Sequence, residues 1–109
     1  MKTKLIFSAA VCLLFCLSSC VKTEHKIRFQ NSYNQTIDNV VIGSDNFGNV
    51  EVNTTTDYQS IPEGSGKVSG VTENTGQALT GGYSISGHGK HNWTATLSSS
   101  GTMSMKEDK

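Results

Sequence analysis

"NWTATLS", residues 92–98, alternates without a break. Trp93, Ala95 and Leu97 fall on one side and Asn92, Thr94 and Thr96 on the other, which is the two-residue period of a strand with one buried and one wet face. Ser99-Ser100-Gly101 then turns the chain into a further strand over Thr102–Met105. The same period recurs early in the chain, where Ile27 and Phe29 alternate with Lys26, Arg28 and Gln30. Between these two stretches, β-branched and aromatic residues predict strands over 36–42, 47–52, 57–61, 67–71 and 79–86. Asn31–Gln35, Gly43-Ser44-Asp45-Asn46, Pro62-Glu63-Gly64 and Glu73-Asn74-Thr75-Gly76 read as the turns between them. Val50 and Val52 are expected on one face, and Gly81-Gly82 marks either a bulge or a close backbone approach. Lys106–Lys109 is expected to fray. Turn signals this closely spaced predict an all-β fold, an antiparallel two-sheet sandwich of seven or eight short strands.

The first twenty residues obey different rules. Lys2 and Lys4 precede Leu5–Leu17, thirteen residues that are apolar except for Ser8. That run is short of the roughly 20 residues a membrane-spanning helix needs, but it suits the apolar region of a helical export signal. It ends in Leu17-Ser18-Ser19-Cys20, which resembles the lipobox of bacterial lipoproteins: aliphatic, small, small, cysteine. The resemblance implies a diacylglyceryl group on the Cys20 sulfur and cleavage between Ser19 and Cys20. The chain then divides into a signal peptide over 1–19, a lipidated cysteine and polar tether over 20–25, and a sandwich domain over 26–109. Cys12 and Cys16 would leave with the signal. The single thiol left behind can form no internal disulfide; its other uses would be pairing with another chain or acting as a reactive thiol.

Of nine Lys and Arg, Lys2 and Lys4 lie in the signal, and the remaining seven face nine Asp and Glu. No basic stripe appears along the sequence, so nucleic acid is not an expected partner. The 90 residues from Cys20 onward allow one small domain.

"GNVEVNTTTDYQSIPEGSGKV" (48–68) and "GGYSISGHGKHNWTATLSSSGTMSMKED" (81–108) together resemble small lipoproteins of anaerobic gut bacteria. The resembling features are the Thr-rich strand start, the Tyr before Ile-Pro-x-Gly, the Gly-rich turn before His-x-Trp-Thr and the final Ser-Gly hairpin. That resemblance implies an immunoglobulin-like or transthyretin-like sandwich and an envelope address, with the lipid on Cys20 as the membrane contact. By lipoprotein family logic, Val21 in place of a retaining aspartate implies the outer membrane, and the lack of an acidic cluster over Val21–Lys26 implies the periplasmic face, with the cell surface as the alternative. It carries no catalytic residues.

The residues themselves contain no catalytic constellation. In "GHGKHNW" (87–93), His88 and His91 are the nearest approach to metal ligands, and His25 is able to join them. A metal centre needs three or four converging donors, no cysteine remains, and no carboxylate is adjacent in sequence, so no metal or other cofactor is expected. "GSGKV" (64–68) lacks the first Gly and the Ser/Thr of a phosphate loop, with Ile61 and Val68 in those places. Ser84 sits in Gly82-Tyr83-Ser84-Ile85-Ser86 and misses the last Gly of a nucleophile elbow. Trp93 is expected in the inter-sheet core, Tyr58 is expected to hydrogen-bond backbone near the Pro62 turn, and Tyr33 is the aromatic expected to be most exposed. The expected function is therefore non-catalytic: a protein-interaction or assembly module of the envelope, or a carbohydrate- or small-ligand-binding module. An exposed apolar patch on an open edge would favour the first, and a groove lined by aromatics the second.

Overall fold

The computed structural model describes residues 22–108; the signal segment 1–19 and Cys20, with its cleavage and lipidation, lie outside the described residues. Within them the chain forms nine strands and no helix. One sheet holds β1 (Glu24–Asn31), β4 (Thr54–Thr55), β5 (Gln59–Ser60), β8 (Lys90–Leu97) and β9 (Met103–Asp108). Its order is β4-β1-β8-β9, with β5 also on β1. The other sheet runs β3-β2-β6-β7, formed by β2 (Ile37–Ile42), β3 (Asp45–Val50), β6 (Gly64–Thr72) and β7 (Ala78–Ile85). The inner faces of the two sheets bury a common core that includes Ile27, Phe29, Ile37, Val40, Ile42, Ile85, Ala95 and Leu97. The two-sheet all-β sandwich expected from the sequence is what forms.

The pairing corrects the expectation in two details: there are nine strands rather than seven or eight, and not all pair antiparallel. Among the described residues there are seven ladders, and β1 with β8 is parallel, in unbroken register from Glu24↔Lys90 to Asn31↔Leu97. Parallel neighbours require a long crossover, and here the whole second sheet lies between them in sequence. This register sets the two alternating strands side by side. Ile27 faces Trp93, Phe29 faces Ala95, and on the outer face Arg28 stands beside Thr94.

β2 contains a bulge. Its apolar residues Ile37, Val40 and Ile42 are all buried, yet Ile37 and Val40 are three apart and cannot share a face of a regular strand. The register slips between Ile37 and Val40, and Asn39 takes a left-handed φ of 53°, a conformation Asn tolerates better than most side chains. The extra residue re-phases the strand so that all three side chains point inward.

Gly81 resolves the alternatives raised by the Gly pair. The β6–β7 register is continuous through Gly81 and Gly82, so there is no bulge. A Cβ on Gly81 would lie 2.5 Å from the Met103 Cβ: the sheets close on each other at β7 and β9, and Gly81 makes room.

Several local expectations need correction. Val50 is buried but Val52 is 38% exposed, because β3 ends at Val50 and the chain turns before Asn53, which has a φ of 58°. The polar tether is shorter than residues 20–25, since Glu24 and His25 already belong to β1. Tyr33 is partly buried and packs on the core. Trp93 packs against the same core but is itself only partly buried. Lys106–Asp108 do not fray; they continue β9 against β8. Among the described residues no helix is long and apolar enough to cross a membrane.

Candidate functional site

The outer face of the five-stranded sheet carries polar side chains in rows, because strict alternation sends Ile27, Phe29, Ala95 and Leu97 inward and their neighbours outward. The register sets Arg28 beside Thr94 and Thr94 beside Lys106. Asp108 lies one row below Lys106, and Tyr58 approaches from the segment entering β5. These side chains form one network. The Thr94 hydroxyl donates to Asp108 Oδ2 at 2.7 Å and accepts from Arg28 Nε at 3.0 Å. The Tyr58 hydroxyl donates to the same carboxylate oxygen at 2.7 Å. Arg28 Nε lies 3.8 Å from that oxygen, and its guanidinium carbon sits 4.8 Å from the centre of the Tyr58 ring, within cation–π range. Tyr58 thus reaches a carboxylate across the sheet rather than the Pro62 turn.

Burial pushes the Asp108 carboxyl up, but hydrogen bonds from Thr94 and Tyr58 and the charges of Arg28 and Lys106 outweigh it, and the net pKa lies below the usual carboxylate value. Asp108 is therefore the fixed anion of the network. Its hydrogen bond in turn raises the Tyr58 phenol above its ordinary pKa, which keeps the phenol a proton donor. Arg28, Tyr58, Lys106, Glu107 and Asp108 line an open basin of about 540 Å³. That volume is within the roughly 300–1,000 Å³ range of small-molecule sites. No sequence motif marks this site. Its only trace in the sequence is Arg28 and Thr94 on the wet faces of the two most regular strands, and their adjacency depends on the parallel pairing.

The histidines come together on the inner side, at the end of the sandwich where the described chain begins. His25 and His91 are register partners, and their rings stack at 5.3 Å. His25 is buried and its Nδ1 accepts the Trp93 indole N–H at 3.2 Å. Indole nitrogen is only a donor, so the His25 proton sits on Nε2, which is buried with no hydrogen-bond partner among the described residues. His91 is held differently. Its Nδ1 lies 2.9 Å from Glu107 Oε2, and its Nε2 lies 2.6 Å from the His88 carbonyl oxygen. Both neighbours are acceptors, an environment that suits imidazolium. The Glu107 hydrogen bond, reinforced by the His88 carbonyl, raises the His91 pKa.

The carboxylate missing beside His91 in sequence is thus supplied by β9. The His88 side chain is exposed, and His88 engages His91 through its backbone. Both ring nitrogens of His91 are occupied, and among the described residues no three His, Cys, Asp or Glu side chains group as metal ligands.

This contact has a testable pH signature. His91 gains proton affinity on folding, so its contribution is full below its unfolded pKa of about 6.5 and is lost as pH rises through the raised folded value. Urea denaturation of wild type and Glu107→Gln should differ most near pH 6 and converge on the alkaline side. A pH-independent offset would show the contact to be uncharged.

A second depression of about 410 Å³ lies where the chain enters β1, lined by Thr23, Glu24, His25, Ser60, Ile61, Pro62 and Glu63. No family model, curated protein or solved structure matches this chain.

Proposed function

We propose that the protein is a lipid-anchored, non-catalytic binding module of the cell envelope, held to the outer membrane through Cys20, and that it binds a small polar ligand, of which carbohydrate is the leading class, on the outer face of its five-stranded sheet. The observation that carries this reading is the basin around Arg28, Tyr58 and Asp108. Its side chains are fixed by one another before any ligand arrives, and preorganisation of this kind lowers the cost of binding. The other reading, assembly with an envelope protein, has less support. Among the described residues Val52 is the large hydrophobic side chain that is most clearly exposed, and a single such residue gives little support to a docking patch.

The export and anchoring part of the proposal rests on the leader and the lipobox-like ending at Cys20. The binding part is tested by titrating the mature acylated protein in detergent with a panel of neutral and acidic saccharides. Binding is expected, and Tyr58→Ala should weaken it at least tenfold, since both an aromatic surface and a hydrogen-bond donor are lost. Val52→Ala, on a different exposed segment, should leave it unchanged. If no saccharide binds more tightly than about 1 mM, near the weak end of measurable affinity, the ligand reading fails and assembly takes its place.

A further inference from the structure

Building on the ligand-binding reading, we infer that the ligand is an acidic saccharide whose carboxylate is received by Arg28 and Lys106. The first ground is charge segregation. Residues 20–109 hold seven Lys and Arg against nine Asp and Glu, a net negative chain. Register and alternation nevertheless place Lys26, Arg28, Lys90 and Lys106 on this one outer face, with Glu24 and Asp108 as its carboxylates. More than half of the cations of the mature chain share one sheet face. A second, smaller depression of about 180 Å³ on that face is lined by Glu24, Lys26, Lys90 and Asn92, so the cationic surface continues beyond the basin.

The second ground is which groups are already committed. Glu24 lies 3.6 Å from the Lys26 ammonium. Asp108 spends Oδ2 on Thr94, Tyr58 and Arg28. Glu107 is turned to His91 on the inner side. Asp108 and Glu24 are thus each paired through one oxygen, while donors on two cations stay open: the Nη groups of Arg28, which meets Asp108 through Nε, and the Lys106 ammonium. Arg28 uses Nε on Thr94, and among the described residues neither of its Nη groups has a hydrogen-bond partner. Its guanidinium carbon lies 4.8 Å from the Tyr58 ring centre, and its side chain remains 35% exposed. Lys106 has no ion pair within 4 Å among the described residues.

A guanidinium held at Nε with its terminal N–H groups open matches the two oxygens of a carboxylate. Lys106, two strands away across Thr94, adds a second cation roughly 10 Å off at the backbone, within reach of both side chains. Asn92, Gln30 and Thr96 around these charges are amides and a hydroxyl, suited to sugar hydroxyls. An anionic lipid surface is the other partner such a face suggests, and the headgroup arm of the titration separates it from the saccharide.

The test is calorimetric titration of the mature acylated protein in detergent with oligogalacturonate, with the neutral galactose oligomer of the same length, and with glycerophosphoglycerol as a lipid headgroup. The uronate should bind at least tenfold more tightly than the neutral oligomer, with Arg28→Lys and Lys106→Gln each removing most of that preference. Lys106 is exposed, so its variant tests the idea even where Arg28→Lys disturbs folding. Equal affinity for acidic and neutral oligomers overturns the carboxylate assignment and leaves saccharide binding standing. Binding of glycerophosphoglycerol without either oligomer overturns it in favour of a lipid surface. Binding of none of the three removes both this inference and the ligand reading on which it rests.

Discussion

Asn31→Leu is expected to cost about 2–4 kcal/mol, a large share of the roughly 5–13 kcal/mol available to a domain of this size. Asn31 is fully buried at the end of β1, and its amide connects three backbone groups. Nδ2 donates to the Gln35 carbonyl at 2.8 Å and to the Val50 carbonyl at 3.0 Å, while Oδ1 accepts the Tyr33 N–H at 2.9 Å. Val50 belongs to β3, in the opposite sheet, so one side chain ties the sheets together and also shapes the turn into β2. Leucine keeps the branched heavy-atom shape and leaves no cavity, though its two methyl groups are bulkier than the amide, so a small packing cost adds to the polar one. It leaves two carbonyls and one N–H to find other partners. The Val50 carbonyl is the costly one because its bond is buried, whereas the other two lie nearer water. Urea denaturation monitored by Trp93 fluorescence reads the loss directly. A change below about 1 kcal/mol would mean that water replaces the amide, and that the sandwich does not depend on this bridge.

Asn31 also shows where sequence reading stops. The alternation at 92–98 and 26–30 makes the fold class legible, because a period of two sustained over several residues fits a strand with one buried face and does not fit a helix. It does not indicate that the two strands are neighbours, still less parallel ones. Pairing across more than sixty residues leaves no local mark, and Arg28, Thr94, Lys106 and Asp108 become a site only through that pairing. Asn31 reads as the start of a turn, which it is; its role as a bridge depends on Val50 arriving from the other sheet. The bulge in β2, by contrast, has a local signal. Ile37 and Val40 stand three apart, and a strand that must bury both needs an extra residue; Asn39 is the one that accepts it. The charged stretch Lys106–Asp108 reads as a frayed end because it lacks apolar residues. Its strand character comes from the β8 ladder, and Asp108 is held by Tyr58 and Thr94, fifty and fourteen residues away.

Cys20→Ala is expected to abolish acylation and, with the leader exchanged for one ending in an Ala-x-Ala site, to move the protein from the membrane fraction to the soluble periplasmic fraction. The size of the effect follows from what each attachment contributes. Buried acyl methylenes are worth about 0.8 kcal/mol each, and two long chains anchor effectively permanently where one alone gives only reversible binding. Among the described residues no helix is long and apolar enough to cross a membrane. The leader exchange matters because an uncleaved apolar segment over 5–17 would itself hold the precursor at a membrane and mask the loss of lipid. Metabolic labelling with palmitate separates the two: label should vanish with Cys20→Ala whichever leader is used. Label retained on the variant, or membrane retention of the cleaved and unlabelled protein, would overturn the anchor. The geometry gives this anchor a further consequence. β1 begins at Glu24, whose N–H already bonds the Gly89 carbonyl at 3.0 Å, so only Val21, Lys22 and Thr23 separate Cys20 from the sheet. At about 3.3–3.6 Å per residue, an anchor on Cys20 would leave the Cys20 backbone no more than roughly 15 Å from the start of β1.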